Sequence, residues 1–252
     1  MFWLFRLVIR DIKATFDKTL IAFQFALPLL FLFVAGLAYT NLIPPFSVNG
    51  RQISYQQFLA AGIILQTVMT GSLTAGLLLW IDRRMGMFEQ ILVWPFTRSQ
   101  YALSKVVAST IVGIVGSMIV FVFALPFMIG ITPSLTDIMI ALGSILLAAI
   151  FFGSFAVAIS TLLKSNEAFN VVINLLYVIF TFVSSTFYPI SAAPSLLQGI
   201  MLFNPLSHAD DLLRFGLYGL ASPIVIYESV ALITEAFGAF ALAVYVFQRI
   251  KV

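Results

Sequence analysis

Side chains able to do chemistry are scarce in this sequence, and their types limit what chemistry is open. Cysteine is absent and there is a single histidine, His208, which removes thiol catalysis, disulfides and any cysteine or histidine metal cluster. The remaining candidates fall near the C-terminal end. Glu228 and Glu235 are seven residues apart in an apolar stretch and share one helix face. An ionised acid deep in a bilayer costs about 2.5–3.5 kcal/mol, so Glu235 should face protein or a polar path. The readings open to it are a hydrogen bond to Ser, Thr or Tyr of a neighbouring helix, or contact with substrate or a proton. Glu228, nearer the outer end, is expected to reach headgroup water. Asp210 and Arg214 have the i, i+4 spacing of a local ion pair, worth less than about 1 kcal/mol if exposed. His208 reads as a surface residue of the same segment. Gln66, Asn170 and Asn174 are weaker polar candidates, and Gly71, Gly76, Gly113, Gly116 and Gly143 suit close helix packing.

The elements that must position these groups are set by hydropathy. The chain is 62% hydrophobic and 9% charged, with mean hydropathy +1.09, against about 25% charged residues in a soluble domain. Five stretches lack Asp, Glu, Lys and Arg altogether: Thr19–Gly50, Gln52–Ile81, Val106–Thr136, Ile138–Leu163 and Ala168–Ala209. Roughly 20 apolar helical residues cross a bilayer, so each run is long enough. Proline and glycine punctuation divides the chain into six predicted helices at about Leu20–Thr40, Gln57–Trp80, Ser104–Ile129, Asp137–Leu163, Asn170–Tyr188 and Pro223–Phe247. The fold class is therefore all-α and polytopic, a single transmembrane domain over residues 1–252.

Charge placement orients it. Arg6, Arg10, Lys13, Lys18, Arg83, Arg84, Arg98, Lys105, Lys164, Arg249 and Lys251 fall on one side, and only Arg51 and Arg214 on the other. By the positive-inside rule both termini are cytoplasmic. The basic residues are not interleaved with stacking aromatics, so nucleic acid is not the implied partner. The first twenty residues mix charges with Phe, Trp and Leu, unlike a cleavable signal.

Three segments outside the spans stand out. Residues 1–18 form an amphipathic pattern: Phe2, Phe5, Ile9, Ile12 and Phe16 on one face, with Arg6, Arg10, Lys13 and Asp17 on the other. Such a helix lies in the membrane interface. Residues 82–101 make the largest cytoplasmic loop; Phe88, Ile91 and Leu92 share a face of a short helix that Pro95 stops. Too short to be stable alone, it needs a partner surface. Residues 189–219, on the outer side, are too apolar for an ordinary loop and are broken at Asn204-Pro205, which predicts a re-entrant hairpin of short helices.

The sequence at Glu89–Lys105, with Glu89, Ile91, Leu92, Pro95 and Arg98 in a Glu-x-Leu-Leu-x-x-Pro-x-x-Arg-like pattern, resembles the cytoplasmic loop of ABC-2 type exporter permeases. Asn204–Arg214 (NPLSHADDLLR) resembles that family's segment before the last span, and Tyr188-Pro189 its Phe/Tyr-Pro after the fifth. The likeness covers nearly the whole chain. Ser207-His208 stands where the family commonly has a pair such as Thr-Tyr.

This resemblance implies a non-enzymatic permease subunit of an exporter in the cell (plasma or inner) membrane. It implies a second permease chain, by default a C2 homodimer, and separate cytosolic ATPase subunits that carry ATP-Mg. The sequence has no GxxxxGK[ST] phosphate loop of its own. Arg83, Arg84, Phe88, Glu89, Ile91, Leu92, Pro95 and Arg98 would couple to the ATPase. Tyr188, Pro189, Asn204, Pro205, Asp210, Asp211 and Arg214 would form an outer gate, and Glu228 and Glu235 would border the path. The implied cargo is a hydrophobic drug, lipid or glycan. The alternative is a proton-coupled secondary transporter, for which Glu235 is the one clear mid-membrane group.

Overall fold

The computed structural model describes residues 2–15, 26–40, 42–48, 51–86, 97–128, 133–219 and 225–249. Its helices are α1 (Phe2–Thr15), α2 (Ala26–Tyr39, with a π-helical turn at Phe31–Ala35), α3 (Tyr55–Arg84), α4 (Arg98–Ala124), α5 (Leu135–Leu162), α6 (Asn166–Phe182), α7 (Ser195–Met201), α8 (Pro205–Tyr218) and α9 (Val225–Gln248). Four of these, α3, α4 (extended by a 3-10 turn to Phe127), α5 and α9, are long and apolar enough to cross a membrane; α2 and α6 are apolar but shorter.

Three span starts are fixed by the same local chemistry. Ser54 with Gln57, Thr97 with Gln100 and Ser134 with Asp137 each form a capping box, in which both side chains satisfy first-turn N–H groups. Helix α3 is the centre of the bundle, buried along most of its length and packed against α4 and α5. The α3–α4 crossing is a backbone contact: a Cβ on Gly71 would sit 2.7 Å from the Cα of Gly113. Only glycine at both positions permits that approach. A Cβ on Gly143, by contrast, would meet nothing within 4 Å among the described residues.

Several expectations shift. The second span runs to Arg84 and begins at Tyr55, longer at both ends than its hydropathy suggests. The fifth ends at Phe182, not Tyr188. The reason is chemical, because Ser185 and Thr186 leave the helix to bond the hairpin, while Ser184 bonds the Thr181 carbonyl and Thr186. A two-stranded antiparallel ribbon, β1 (Phe46–Val48) with β2 (Arg51–Ile53), precedes α3 and adds strand to a fold read as all-α. The two short helices expected around the Asn204-Pro205 break are present as α7 and α8, with Asn204 as the N-cap of α8 and Pro205 in its first turn. Residues 20–25 of the first predicted span lie outside the described residues, as do 220–224 before the last.

Helix α1 is two-sided. Phe5 points outward, as an interfacial helix requires, but Val8, Asp11 and Thr15 form a buried stripe packed on α4. The carboxylate on that stripe leads to the first polar cluster.

Candidate functional site: two buried polar clusters

The inner cluster joins α1, the end of α3 and the start of α4. Lys105, wholly buried, places Nζ 2.5 Å from Asp82 and 3.0 Å from Asp11. Arg10 reaches both acids from the surface, at 2.6 Å to Asp11 and 2.7 Å to Asp82. The Tyr101 hydroxyl donates to Asp82 at 2.5 Å. The two cations balance the two anions, so no net charge is buried. Burial opposes the charge on Arg10, but Asp11 and then Asp82 more than offset it and hold the guanidinium above its usual value. The cluster escaped the sequence reading because Arg10 and Lys105 were counted as topology signals. The available clue was Asp11, an acid three residues after Val8 and four before Thr15, hence on one inward face.

This cluster brackets the loop between α3 and α4. Asp82 lies just before it, and Tyr101 and Lys105 just after. Of the coupling candidates, Phe88, Glu89, Ile91, Leu92 and Pro95 lie outside the described residues. Arg83 donates to the Ser160 carbonyl at 3.2 Å and covers the Trp80 ring. Arg84 is exposed. Arg98 donates to the Gln248 carbonyl at 3.2 Å, tying the start of α4 to the end of α9.

The outer cluster holds the hairpin. Arg214 is buried and donates to the carbonyls of Phe58 and Thr186 and to the Ser185 hydroxyl, at 3.2–3.3 Å. Its guanidinium lies 3.7 Å from the Phe58 ring centre, a desolvated cation–π contact. The anticipated exposed Asp210–Arg214 pair is not what forms. Arg214 pairs with Asp211 at 3.0 Å, three residues away. Asp210 turns inward and accepts from the Thr186 hydroxyl at 2.6 Å. Burial, only partly offset by Arg214 and Thr186, pushes the Asp210 carboxyl up to about 8. Asn204 donates its amide to the carbonyls of Phe180 and Val183, two orphaned acceptors at the end of α6. The Tyr188 hydroxyl folds back onto the Phe182 carbonyl, and Pro189 opens the 3-10 turn before α7.

His208 is not a surface residue: only 2% of it is exposed. Its Nε2 lies 3.0 Å from the Leu202 carbonyl, which can only accept, so Nε2 carries hydrogen. Its Nδ1 lies 3.1 Å from Glu235 Oε2. One further proton must therefore sit between imidazole and carboxylate. Burial alone would lower the His208 pKa, but the Glu235 hydrogen bond and charge, with the Leu202 carbonyl and Glu228, raise it above the usual value. Glu235 thus bonds the hairpin's histidine rather than a hydroxyl. Glu228 is also buried, 1% exposed, instead of reaching toward headgroup water. Gln66 donates to the Tyr177 hydroxyl at 2.8 Å, while Asn170 and Asn174 stay exposed on α6. Among the described residues no group of three His, Asp or Glu side chains could hold a metal.

Comparison with known proteins adds a further finding. Residues 4–218 match a family model described as ABC-2 type transporter. The transport permease ycf38 of Pyropia yezoensis is 33% identical over 194 residues, 75% of this chain and 64% of that protein. Its counterpart in Cyanophora paradoxa is 27% identical over 190 residues, again 75% and 64%. Nodulation protein J of Rhizobium leguminosarum bv. viciae is 28% identical over 190 residues, 74% of this chain and 70% of that one. The matched part of the chain thus spans under two thirds of the length of the ycf38 relatives.

Proposed function

This chain belongs to the ABC-2 type transporter family, and from that premise we propose that it is the permease subunit of an ATP-driven exporter. It crosses the cell membrane six times with both termini in the cytoplasm, and a homodimer of it lines the path. ATP-Mg is bound and hydrolysed on separate cytosolic subunits. The observation that carries this reading is the bracketing of the segment 87–96 by the inner cluster. A loop whose two ends are clamped to a buried ionic core passes a push from a docked partner into α3 and α4 rather than yielding to it. Phe88, Ile91 and Leu92 are the apolar anchors of that loop, Arg83, Arg84, Glu89 and Arg98 set its register, and Pro95 ends its short helix. Tyr188, Pro189, Asn204, Pro205, Asp210, Asp211 and Arg214 hold the outer hairpin as the exit gate. Glu228 and Glu235 border the path from α9. The cargo is a hydrophobic drug, lipid or glycan.

The test is co-purification with candidate cytosolic ATPases. The wild-type chain is expected to retain one, and Phe88→Asp and Glu89→Lys each to release it. The proton-sharing His208–Glu235 pair favours a second reading, proton-coupled transport. That reading is upheld if no ATPase binds and a proton gradient alone drives a flux that Glu235→Gln abolishes.

A further inference from the structure

Helix α9 is held by specific side-chain bonds at both ends, with a smooth face between them. At its inner end Phe247, 1% exposed, rests on the equally buried Tyr101, their ring centroids 5.5 Å apart. Its neighbour Gln248 accepts from Arg98 through its carbonyl at 3.2 Å and donates its side-chain amide to Ser99 at 2.8 Å. Arg98, Ser99 and Tyr101 lie in the first turn of α4, directly after the segment 87–96. The last turn of α9 therefore holds the exit of that loop. Through Tyr101, whose hydroxyl donates to Asp82, it also leans on the inner cluster.

The outer end grips the hairpin. Glu235 bonds His208, and the Tyr227 hydroxyl donates to the Leu202 carbonyl at 3.0 Å. The Tyr227 ring stands edge-on to the imidazole at 5.7 Å, and the buried Glu228 adds its charge. These contacts converge on Leu202 and His208, on either side of the Asn204-Pro205 break.

Between the ends, the buried face of α9 reads Leu232, Ala236, Ala239, Ala243 and Phe247, spaced by three or four residues. It packs chiefly on α5. Alanine offers no knob to lodge in a neighbour's groove, so this stretch can shift along α5 as packed helices do in shear motions. The helix itself is stiff. A displacement at Phe247 is not absorbed on the way and arrives at Glu235, about 18 Å along the axis.

We propose that Phe247 and Gln248 are positioning residues for the outer hairpin, carrying movement of the start of α4 along α9 to the Glu235–His208 bond. The exporter reading supplies the source of that movement, a docked ATPase, but the link is a property of this chain alone. Failure of an ATPase to bind would defeat that reading and leave the link; a missing link would defeat this proposal and leave the reading.

His208 is the sole histidine, so the full-length chain, purified without a histidine tag and labelled with 13C,15N-histidine, gives one imidazole NMR signal. Its titration reports the groups of α9 that face it, Glu235, Glu228 and Tyr227. Phe247→Ala should loosen the Glu235 contact and lower the midpoint by about 0.5 pH units, and Phe247→Leu by less than half as much. Gln248→Ala removes only an exposed bond and should lower it in the same sense by less; it carries the test should Phe247→Ala fail to fold. Ser160→Ala deletes a buried hydrogen bond from α5 to the Gly76 carbonyl without altering a bond of α9, and should leave the midpoint where it is. A midpoint unmoved by Phe247→Ala and Gln248→Ala overturns the link. So does an equal shift in Ser160→Ala, which would mark general loosening rather than transmission through α9.

Discussion

The inner and outer clusters solve the same problem, burying charge in an apolar protein, by opposite means. The inner one neutralises side chain with side chain: Lys105 and Arg10 against Asp11 and Asp82. The outer one spends its cation on the main chain, since Arg214 grips the carbonyls of Phe58 and Thr186 as well as Asp211. An all-ionic cluster fails when one member is removed, because the remaining charges have no water to turn to. A carbonyl-bound guanidinium depends instead on geometry, on a planar fork fitting fixed acceptors. The difference implies that the loop end of the molecule is locked by charge balance and the hairpin end by shape.

The most severe way to break the comparison is at Lys105. Replacing it with methionine leaves Arg10 alone to balance Asp11 and Asp82, so one buried negative charge is uncompensated, at an expected cost of about 3–5 kcal/mol. Thermal unfolding of the purified chain measures this. Adding Asp82→Asn should restore more than half of the loss, whereas a merely volumetric role for Lys105 would make the two changes additive.

Next comes Arg214→Lys, which keeps the charge but loses the fork. If shape is what counts, it should cost about 1.5–3 kcal/mol, read as faster hydrogen exchange in α8 and in residues 183–188. A lysine that holds the hairpin as well as arginine does would make the outer cluster another charge lock.

A smaller effect is expected from pH at His208. Its pKa is raised in the folded chain above the usual 6.5, so the stability it contributes is complete below that value. It fades as pH rises through the folded value, when proton loss sets the Nδ1 lone pair against the Glu235 carboxylate. Exchange protection of α8 should therefore decline on the alkaline side, and His208→Gln or Glu235→Gln should flatten the decline. The smallest change is Asp210→Asn. With the carboxyl already pushed up to about 8, an amide that still accepts from Thr186 should shift stability by less than about 1 kcal/mol at neutral pH. A larger loss would show that Asp210 holds its charge.

How much of this was legible follows from what each feature depends on. The apolar runs, the amphipathic α1 and the Asn-Pro break are local, and they placed the bundle and hairpin to within a few residues. The end of α6 was misjudged because Ser184, Ser185 and Thr186 are compatible with helix alone. Only the presence of Asp210, Asp211 and Ser207 opposite makes leaving it favourable. The same holds for the ions. Lys105 and Asp82 are 23 residues apart and Lys105 and Asp11 are 94 apart, so no spacing rule links them. His208 looked like a surface residue because its acceptor, Glu235, lies 27 residues on, across an interhelical contact.

The two clusters share one element. Asp82 and Phe58 stand near opposite ends of α3, and 24 helical residues between them rise about 36 Å. A helix that is stiff over that length and gripped at both ends is a lever. A tilt of about 5° imposed at Asp82 would carry the Phe58 carbonyl sideways by about 3 Å, a full hydrogen-bond length. The grip of Arg214 on that carbonyl would then be the first hairpin contact to part, so the mechanical advantage of a single helix already links the ionic cluster at one of its ends to the hairpin at the other.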